Sequence, residues 1–221
     1  MASIDEKKNK YAVKLLPYVR KFGIDTLKTD EIASIMDISK ATMYKYFSSK
    51  DEIIAYIVDL CIAFIEEDEQ KQERNNEDFV LFFQQSYKRS ILLSFYISDI
   101  FLKDLKTGYP SLYETLTASL QDRIKKQANH YDLGISRGVF NHLNSLMICL
   151  SEDVIIRKFI DPLYLLEHDM TLKQALVDYY QLKKHQTIHP EIFDALDDTV
   201  MMEELDYVVK KMNANLHVER G

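Results

Sequence analysis

Apolar side chains recur at helical spacing along nearly the whole of this 221-residue chain, and no segment alternates apolar and polar residues long enough to form a strand. Tyr11, Leu15, Leu16, Val19 and Phe22 share one helix face, as do Ile53, Ile57, Leu60 and Phe64. Only five Gly and four Pro interrupt the pattern, which disfavours turn-rich β folds. Because 47% of residues are apolar, a substantial core is available. The spacing predicts an all-α protein, with a three-helix N-terminal domain over residues 1–50 and a larger helical domain over 51–221.

Local signals divide the pattern into elements. Pro17 removes a backbone donor and clashes with the preceding turn, so it kinks or splits the first helix, which stops at Gly23. Thr29 reads as the N-cap of a second helix, with Asp30 and Glu31 in its first turn and Ile32, Ala33 and Met36 facing inward. Asp37-Ile38-Ser39 is a turn, and Ser39 caps a third helix whose Met43 and Phe47 point inward. Ser49-Lys50-Asp51-Glu52 matches a capping box that opens a long helix. The acidic run Glu66–Asp78 reads as a solvated helix end and loop. One aromatic-rich helix is expected over 79–105. Another is expected from Pro110 to about residue 130, ending before Gly134. Further helices are expected near 138–160, stopped by Asp161-Pro162, and near 171–186 and 198–214.

The net charge of −7 argues at first against nucleic acid, but its distribution does not. Residues 1–50 carry ten Lys/Arg against six Asp/Glu; the remaining residues carry 18 against 29. A basic end on an acidic body suits a surface that meets an anion. The short helix after Ser39 holds Lys40, Ala41, Thr42, Tyr44, Lys45 and Tyr46. In a helix-turn-helix, the second helix enters the major groove and the first braces it. Lys40 and Lys45 can donate to guanine O6 and N7 or to phosphate, Thr42 can donate or accept, and the Ala41 methyl can touch a thymine methyl. The Tyr44 and Tyr46 hydroxyls can reach phosphates, although Tyr44 fits equally well as a core ring beside Met43. Lys50 sits in a helix's first turn, where the macrodipole disfavours a cation unless an anion is present.

These residues carry a resemblance. Phe22-Gly23, Thr29, Ile32-Ala33, Ile38-Ser39, Thr42-Met43-Tyr44, Tyr46-Phe47 and Ser49-Lys50-Asp51-Glu52-Ile53 resemble the DNA-binding domain of tetracycline-repressor-like (TetR) regulators over residues 11–53. The resemblance implies a sequence-specific transcriptional regulator, usually a homodimeric repressor released from its DNA operator by a small effector. It implies phosphate contacts at Thr29, Tyr44, Tyr46 and Lys50 and base contacts at Lys40, Ala41, Thr42 and Lys45. Three residues depart from the pattern. Asp37 stands where the family usually has Gly, though Asp tolerates left-handed geometry; Pro17 is unusual in the first helix; and Asp30 lies near the expected phosphate surface.

The resemblance also implies an effector pocket and a dimer interface in the larger domain. Polar groups scattered among apolar ones supply the candidates for orienting a ligand: Gln84, Gln85, Tyr87, Tyr113, His142 and Asn144, with Phe83 and Met147 as lining. Such a Phe/Tyr-rich lining suits a hydrophobic or aromatic effector. One recognition helix offers little contact, so two half-sites about 34–36 Å apart imply a dimer. Its expected faces are the stripe Val139, Leu143, Leu146, Met147, Leu150 and Val154 and the stripe Val200, Leu205, Val208 and Met212. The competing reading is a DNA-bound regulator or chromosome-organising protein controlled by a protein partner, with no small effector.

Catalysis finds little support. A di-iron bundle needs paired Glu-x-x-His motifs, which are absent, as are His-Glu-x-x-His and the P-loop pattern. His185 and His189 lack a third ligand nearby, so neither a metal nor a cofactor is expected. Cys61 and Cys149 read as buried thiols. The N-terminus lacks the apolar run of a signal peptide, and no apolar stretch is long enough to span a bilayer. The expected location is the cytoplasm.

Overall fold

The computed structural model describes residues 4–67 and 76–216. Its helices are α1 (Ile4–Ala12), α2 (Leu16–Phe22), α3 (Thr29–Ile35), α4 (Lys40–Tyr46), α5 (Lys50–Glu66), α6 (Asn76–Tyr96), α7 (Asp99–Gly108), α8 (Pro110–Ser136), α9 (Ser145–Ile160), α10 (Pro162–Glu167), α11 (Leu172–Thr187) and α12 (Asp198–Leu216), with 3₁₀ turns at Val13–Leu15 and Pro190–Ala195. Among the described residues no strand forms; Phe140 and Ile188 pair as an isolated antiparallel bridge. Most of the acidic run expected as a loop, residues 68–75, lies outside the described residues. The chain forms two compact units. Among the described residues, 4–67, 96–120 and 215–216 make the first, and 76–95 and 121–214 make the second.

In the first unit, the chain turns where local chemistry demands it. Pro17 begins α2, and the 3₁₀ turn before it absorbs the missing backbone donor. Lys28, not Thr29, is the N-cap of α3, because its backbone is extended while Thr29 is already helical. A lysine side chain offers no acceptor, so Glu31 supports this end instead by accepting from the Lys28 N–H at 2.8 Å. Ser49 Oγ does cap α5, accepting from Glu52 N at 3.1 Å. The reciprocal half of the box is shifted: Glu52 accepts from the Ser48 N–H and hydroxyl at 2.6 and 2.7 Å.

The loop after α2 is clamped to α7. Gly23 has φ of 74°, and a Cβ there would stand 2.0 Å from Asp104 Oδ2, so no larger residue fits. That carboxylate accepts the Ile24 and Asp25 backbone N–H groups at 2.7 and 3.1 Å, and Ser98 Oγ donates to the Arg20 carbonyl at 2.8 Å.

Elsewhere, three expected boundaries move. The helix expected over 79–105 is two helices, because Ser98 caps α7 by accepting from Phe101 N at 3.2 Å. Gly134 does not stop α8. It lies inside the helix, where a Cβ would meet the Phe140 ring at 2.3 Å, and Gly138 with φ of 73° makes the stop. The helix expected over 138–160 begins only at Ser145. Residues 139–141 instead pair with 187–189: Asn141 N donates to Thr187 O at 2.8 Å and His189 N to Val139 O at 2.9 Å. Asp161-Pro162 ends α9 as expected and also starts α10, which the spacing did not reveal.

Candidate nucleic-acid interface

The α3–turn–α4 geometry follows from one residue in left-handed conformation. Asp37 has φ of 58°, which lets the Asp37 N–H reach Ser34 O at 2.9 Å and the Ile38 N–H reach Ala33 O at 3.1 Å. This pair of bonds closes a helix C-terminus of the Schellman type. Lys14 holds the turn from outside, donating to Met36 O at 3.2 Å and Asp37 Oδ2 at 3.4 Å. Ser39 then starts α4 by accepting from Thr42 N at 3.1 Å. Met43 and Phe47 are fully buried, with Ile32, Met36, Leu15 and Val19 also in the core. Burying each such side chain contributes about 1.5–3 kcal/mol, enough to fix which face of α4 points outward.

That outward face carries Lys40, Ala41, Tyr44 and Lys45, all exposed. Tyr44 is 48% exposed, so its ring lies outside the core. The other sequence candidates are held more closely. Thr42 is half-buried and its hydroxyl shares a 2.9 Å hydrogen bond with Ser39 Oγ. Tyr46 is half-buried and its ring centroid lies 5.3 Å from that of Tyr11. Thr29 is half-buried in the first turn of α3. Lys40 forms an ion pair with Asp30 at 2.8 Å, and this hydrogen bond raises the Lys40 pKa. Lys50 donates to the Ile24 carbonyl at 2.9 Å and lines an open cleft of about 560 Å³ with Asp25, Asp51, Tyr109 and Ser111. A short helix with one buried and one solvent-facing side, two lysines on the outer face and a braced turn is the apparatus of major-groove reading.

Residues 20–57 match the family model described as bacterial regulatory proteins, tetR family. Over residues 20–57 the chain carries the N-terminal domain of TetR-family regulators. No curated protein sequence matches the chain. Among solved structures, a TetR-family regulator from Marinobacter aquaeolei VT8 aligns with a TM-score of 0.59 at 16% identity, covering 96% of this chain and 99% of that one. AibR in complex with isovaleryl coenzyme A and operator DNA aligns with a TM-score of 0.58 at 14% identity, covering 80% and 97%. A protein from Saccharomonospora viridis in complex with choline gives 0.56 at 13% identity, covering 84% and 99%. At these identities the likeness is one of fold. TetR-family proteins are DNA-binding transcriptional regulators, and the apparatus on α3 and α4 lies within the segment that the family model matches.

The residues expected to line an effector pocket do not gather in one place. Phe83 and Tyr87 are fully buried in the second unit. Gln84 is half-buried and donates to Tyr180 Oη at 3.2 Å and Asp197 O at 3.1 Å. His142 and Met147 are exposed, and Tyr113 belongs to the first unit. Around Phe83 and Tyr87 the structure assembles residues that sequence reasoning missed. Lys183 and Glu152, 3% and 1% exposed, form an ion pair. The Lys183 ammonium lies 5.5, 6.0 and 5.4 Å from the ring centroids of Phe83, Tyr87 and Tyr131. Burial drives the Lys183 pKa down, to about 7. Gln127, buried, donates to Ser86 Oγ at 2.5 Å, and Arg123 donates to Ser90 Oγ at 3.1 Å.

The two stripes expected at a dimer interface also differ. Leu143, Leu146, Met147, Leu150 and Val154 are exposed. Val139 of the first stripe is buried, as are Leu205, Val208 and Met212 of the second, whereas Val200 at the start of α12 is exposed.

Other reactive groups are quiet. Cys61 and Cys149 are buried free thiols, and burial pushes them up to about 12 and about 11, away from thiolate chemistry. Among the described residues no group of three or more His, Cys, Asp or Glu could hold a metal ion. No described helix is long and apolar enough to cross a membrane. Gly134-Ile135-Ser136-Arg137-Gly138 spells the Gly-x-Ser-x-Gly of hydrolases. Here it ends a helix, and Ser136 Oγ donates to Leu133 O at 2.7 Å, whereas a nucleophile elbow turns from strand to helix.

Proposed function

We propose that this protein is a homodimeric, operator-binding repressor whose α4 reads base edges and whose second unit takes a small effector that lowers DNA affinity. The observation that carries the reading is the division of α4 into a locked inner side, Met43 with Phe47 behind it, and an outer side bearing Lys40, Ala41, Tyr44 and Lys45. In this reading Lys40, Ala41, Thr42 and Lys45 meet bases, while Thr29, Tyr44, Tyr46 and Lys50 meet phosphates. DNA reading belongs to residues 1–50 and effector binding with dimerisation to the rest. Lys50 gives up its bond to Ile24 O when phosphate approaches. The effector is small and largely apolar, seated against Phe83 and Tyr87. AibR, crystallised with an acyl coenzyme A and operator DNA, is a precedent of the same fold for one protein answering to both.

The second copy docks on the exposed apolar face of α9, Leu146, Met147, Leu150 and Val154, which continues at Leu143. Its opposite face, Ser145, Ile148, Cys149, Glu152 and Ile156, is buried, so α9 already uses one side for the protomer's own interior and still shows apolar side chains on the other. A single-chain surface seldom keeps such a stripe open to water. Substituting Met147→Asp together with Leu150→Asp turns a dimer into a monomer in light scattering.

The DNA assignment is tested by selecting sites from a randomised duplex library and comparing two variants on it. Lys50→Ala weakens binding equally across sequences and lowers the salt slope by about one. Lys45→Ala relaxes preference at one position. Two variants with the same sequence profile and the same salt slope would refute the division of roles; no enriched site at all would refute the function.

A further inference from the structure

We infer that the effector is an organic acid whose carboxylate takes the place of Glu152 on Lys183 inside the second unit, with its apolar body against Phe83, Tyr87 and Tyr131. This rests on the reading of that interior as the effector site and adds the chemistry of the ligand.

Four helices build the cluster. α6 supplies Phe83, Ser86 and Tyr87, α8 supplies Gln127 and Tyr131, α9 supplies Glu152 and α11 supplies Lys183. A buried ion pair is a costly way to join two helices. Desolvating both charges absorbs most of their attraction, and apolar pairs of similar volume often hold a core as well or better. Packing alone therefore gives little reason to keep Lys183 and Glu152 in this interior.

The hydrogen-bonding capacity of the cluster is one-sided. The Lys183 ammonium has three N–H groups, and Glu152 is the acceptor paired with it. The Gln127 amide reaches Glu152 Oε1 only at 3.5 Å. The Tyr131 hydroxyl is fully buried and near Gln127, yet makes no well-formed hydrogen bond. Donors thus converge on a region whose acidic acceptor is one carboxylate. A ligand carboxylate carries the same two acceptor oxygens as Glu152 and so can satisfy these donors in its place. A ligand ammonium does the opposite: it adds donors and sets a second cation beside Lys183. The three rings around Lys183 favour its charged form through their electron-rich faces, and the incoming carboxylate replaces the negative charge that Glu152 withdraws. The same rings provide the apolar wall for the body of the acid. Displacing Glu152 also cuts the tie between α9 and α11, and α9 carries the apolar face assigned to the second copy.

The test uses the full chain and four probes: phenylacetate, octanoate, methyl phenylacetate and 2-phenylethylamine. Binding is followed by calorimetry and thermal melting, and DNA release by fluorescence anisotropy. The two acids are expected to bind, raise the melting temperature and release DNA, and the ester and amine are not. Glu152→Gln removes the internal competitor and is expected to tighten acid binding by about tenfold or more. Lys183→Met abolishes it. The paired variant Glu152→Leu/Lys183→Met, an apolar replacement of the ion pair, is expected to melt near the wild type and still ignore the acids, which separates lost recognition from lost folding. If the amine or the ester binds and releases DNA while the acids do not, the effector site stands and the acid assignment falls. Acid binding that survives Lys183→Met overturns the assignment as well. If no probe binds, both fall.

Discussion

Asp104 offers the sharpest stability test in the first unit. The residue is 9% exposed, and its carboxylate accepts two backbone N–H groups, the buried Ile24 bond at 2.7 Å and the part-buried Asp25 bond at 3.1 Å. In Asp104→Ala the Ile24 N–H loses its acceptor where water does not readily replace it, a cost of about 1–3 kcal/mol. The Asp25 N–H can find water, so its loss is close to the net value of an ordinary hydrogen bond, about 1 kcal/mol. Together the substitution should cost about 2–4 kcal/mol, which for a chain of this size lowers the melting temperature by roughly 4–16 °C. Asp104→Asn keeps one carbonyl oxygen in place and should cost about half as much. Thermal melts followed by circular dichroism, with urea titration as a second axis, measure both. The Gly23–Asp25 loop leads into α3, so operator affinity should fall with stability in the Ala variant and recover in the Asn variant. An Asp104→Ala protein that melts with the wild type would refute the account. So would an Asn variant as damaged as the Ala variant, because charge rather than acceptor geometry would then be at work.

Asp30→Asn frees Lys40 from its exposed ion pair and removes a negative charge beside the exposed side of α4 that we propose meets DNA; operator binding should tighten severalfold and its salt slope steepen by up to about one, with an unchanged slope counting against a Lys40–DNA contact. Glu52 is held at about 2, first by its hydrogen bond from Lys8 and then by those from Ser48, below the ordinary 4.5. A depressed carboxylate stabilises the fold above pH 4.5, and the contribution fades as pH falls toward 2, so the stability gap between wild type and Glu52→Gln should close over that window in acid titrations. Solvent screening keeps the gap small, because the Glu52 side chain is 36% exposed. Gly134→Ala reverses the usual sign for a helix-interior glycine: instead of a gain of about 0.5–1 kcal/mol it should lose about 1–3 kcal/mol, because the new methyl would stand 2.3 Å from the Phe140 ring; a more stable variant in urea melts would show that the ring gives way freely.

Much of this protein is legible before any coordinates are seen, wherever the controlling interactions are local. The helical period, the Ser39 and Ser49 caps, the split at Pro17 and the inward set of Met43 and Phe47 depend on contacts three or four residues apart, which sequence spacing records. Asp37 at the turn belongs to the same class, since its left-handed φ is a property of the residue type and its immediate neighbours. Features that depend on distant partners were not legible. Gly134 looks like a stop until Phe140 is seen against it, and residues 139–141 look helical until 187–189 pair with them. Lys50 reads as a phosphate ligand, and only the fold reveals that Ile24 O already holds it.

The same division runs through function. The sequence by itself determined an all-α protein with a DNA-reading helix-turn-helix, because that module is short and its contacts are nearly all local. Only the tertiary structure decided what lies inside the second unit. Lys183 and Glu152 are separated by many residues, and neither is unusual in its own stretch of helix. The angles at which α6, α8, α9 and α11 pack bring them together out of water, and burial is what turns two ordinary surface-type residues into a charged interior.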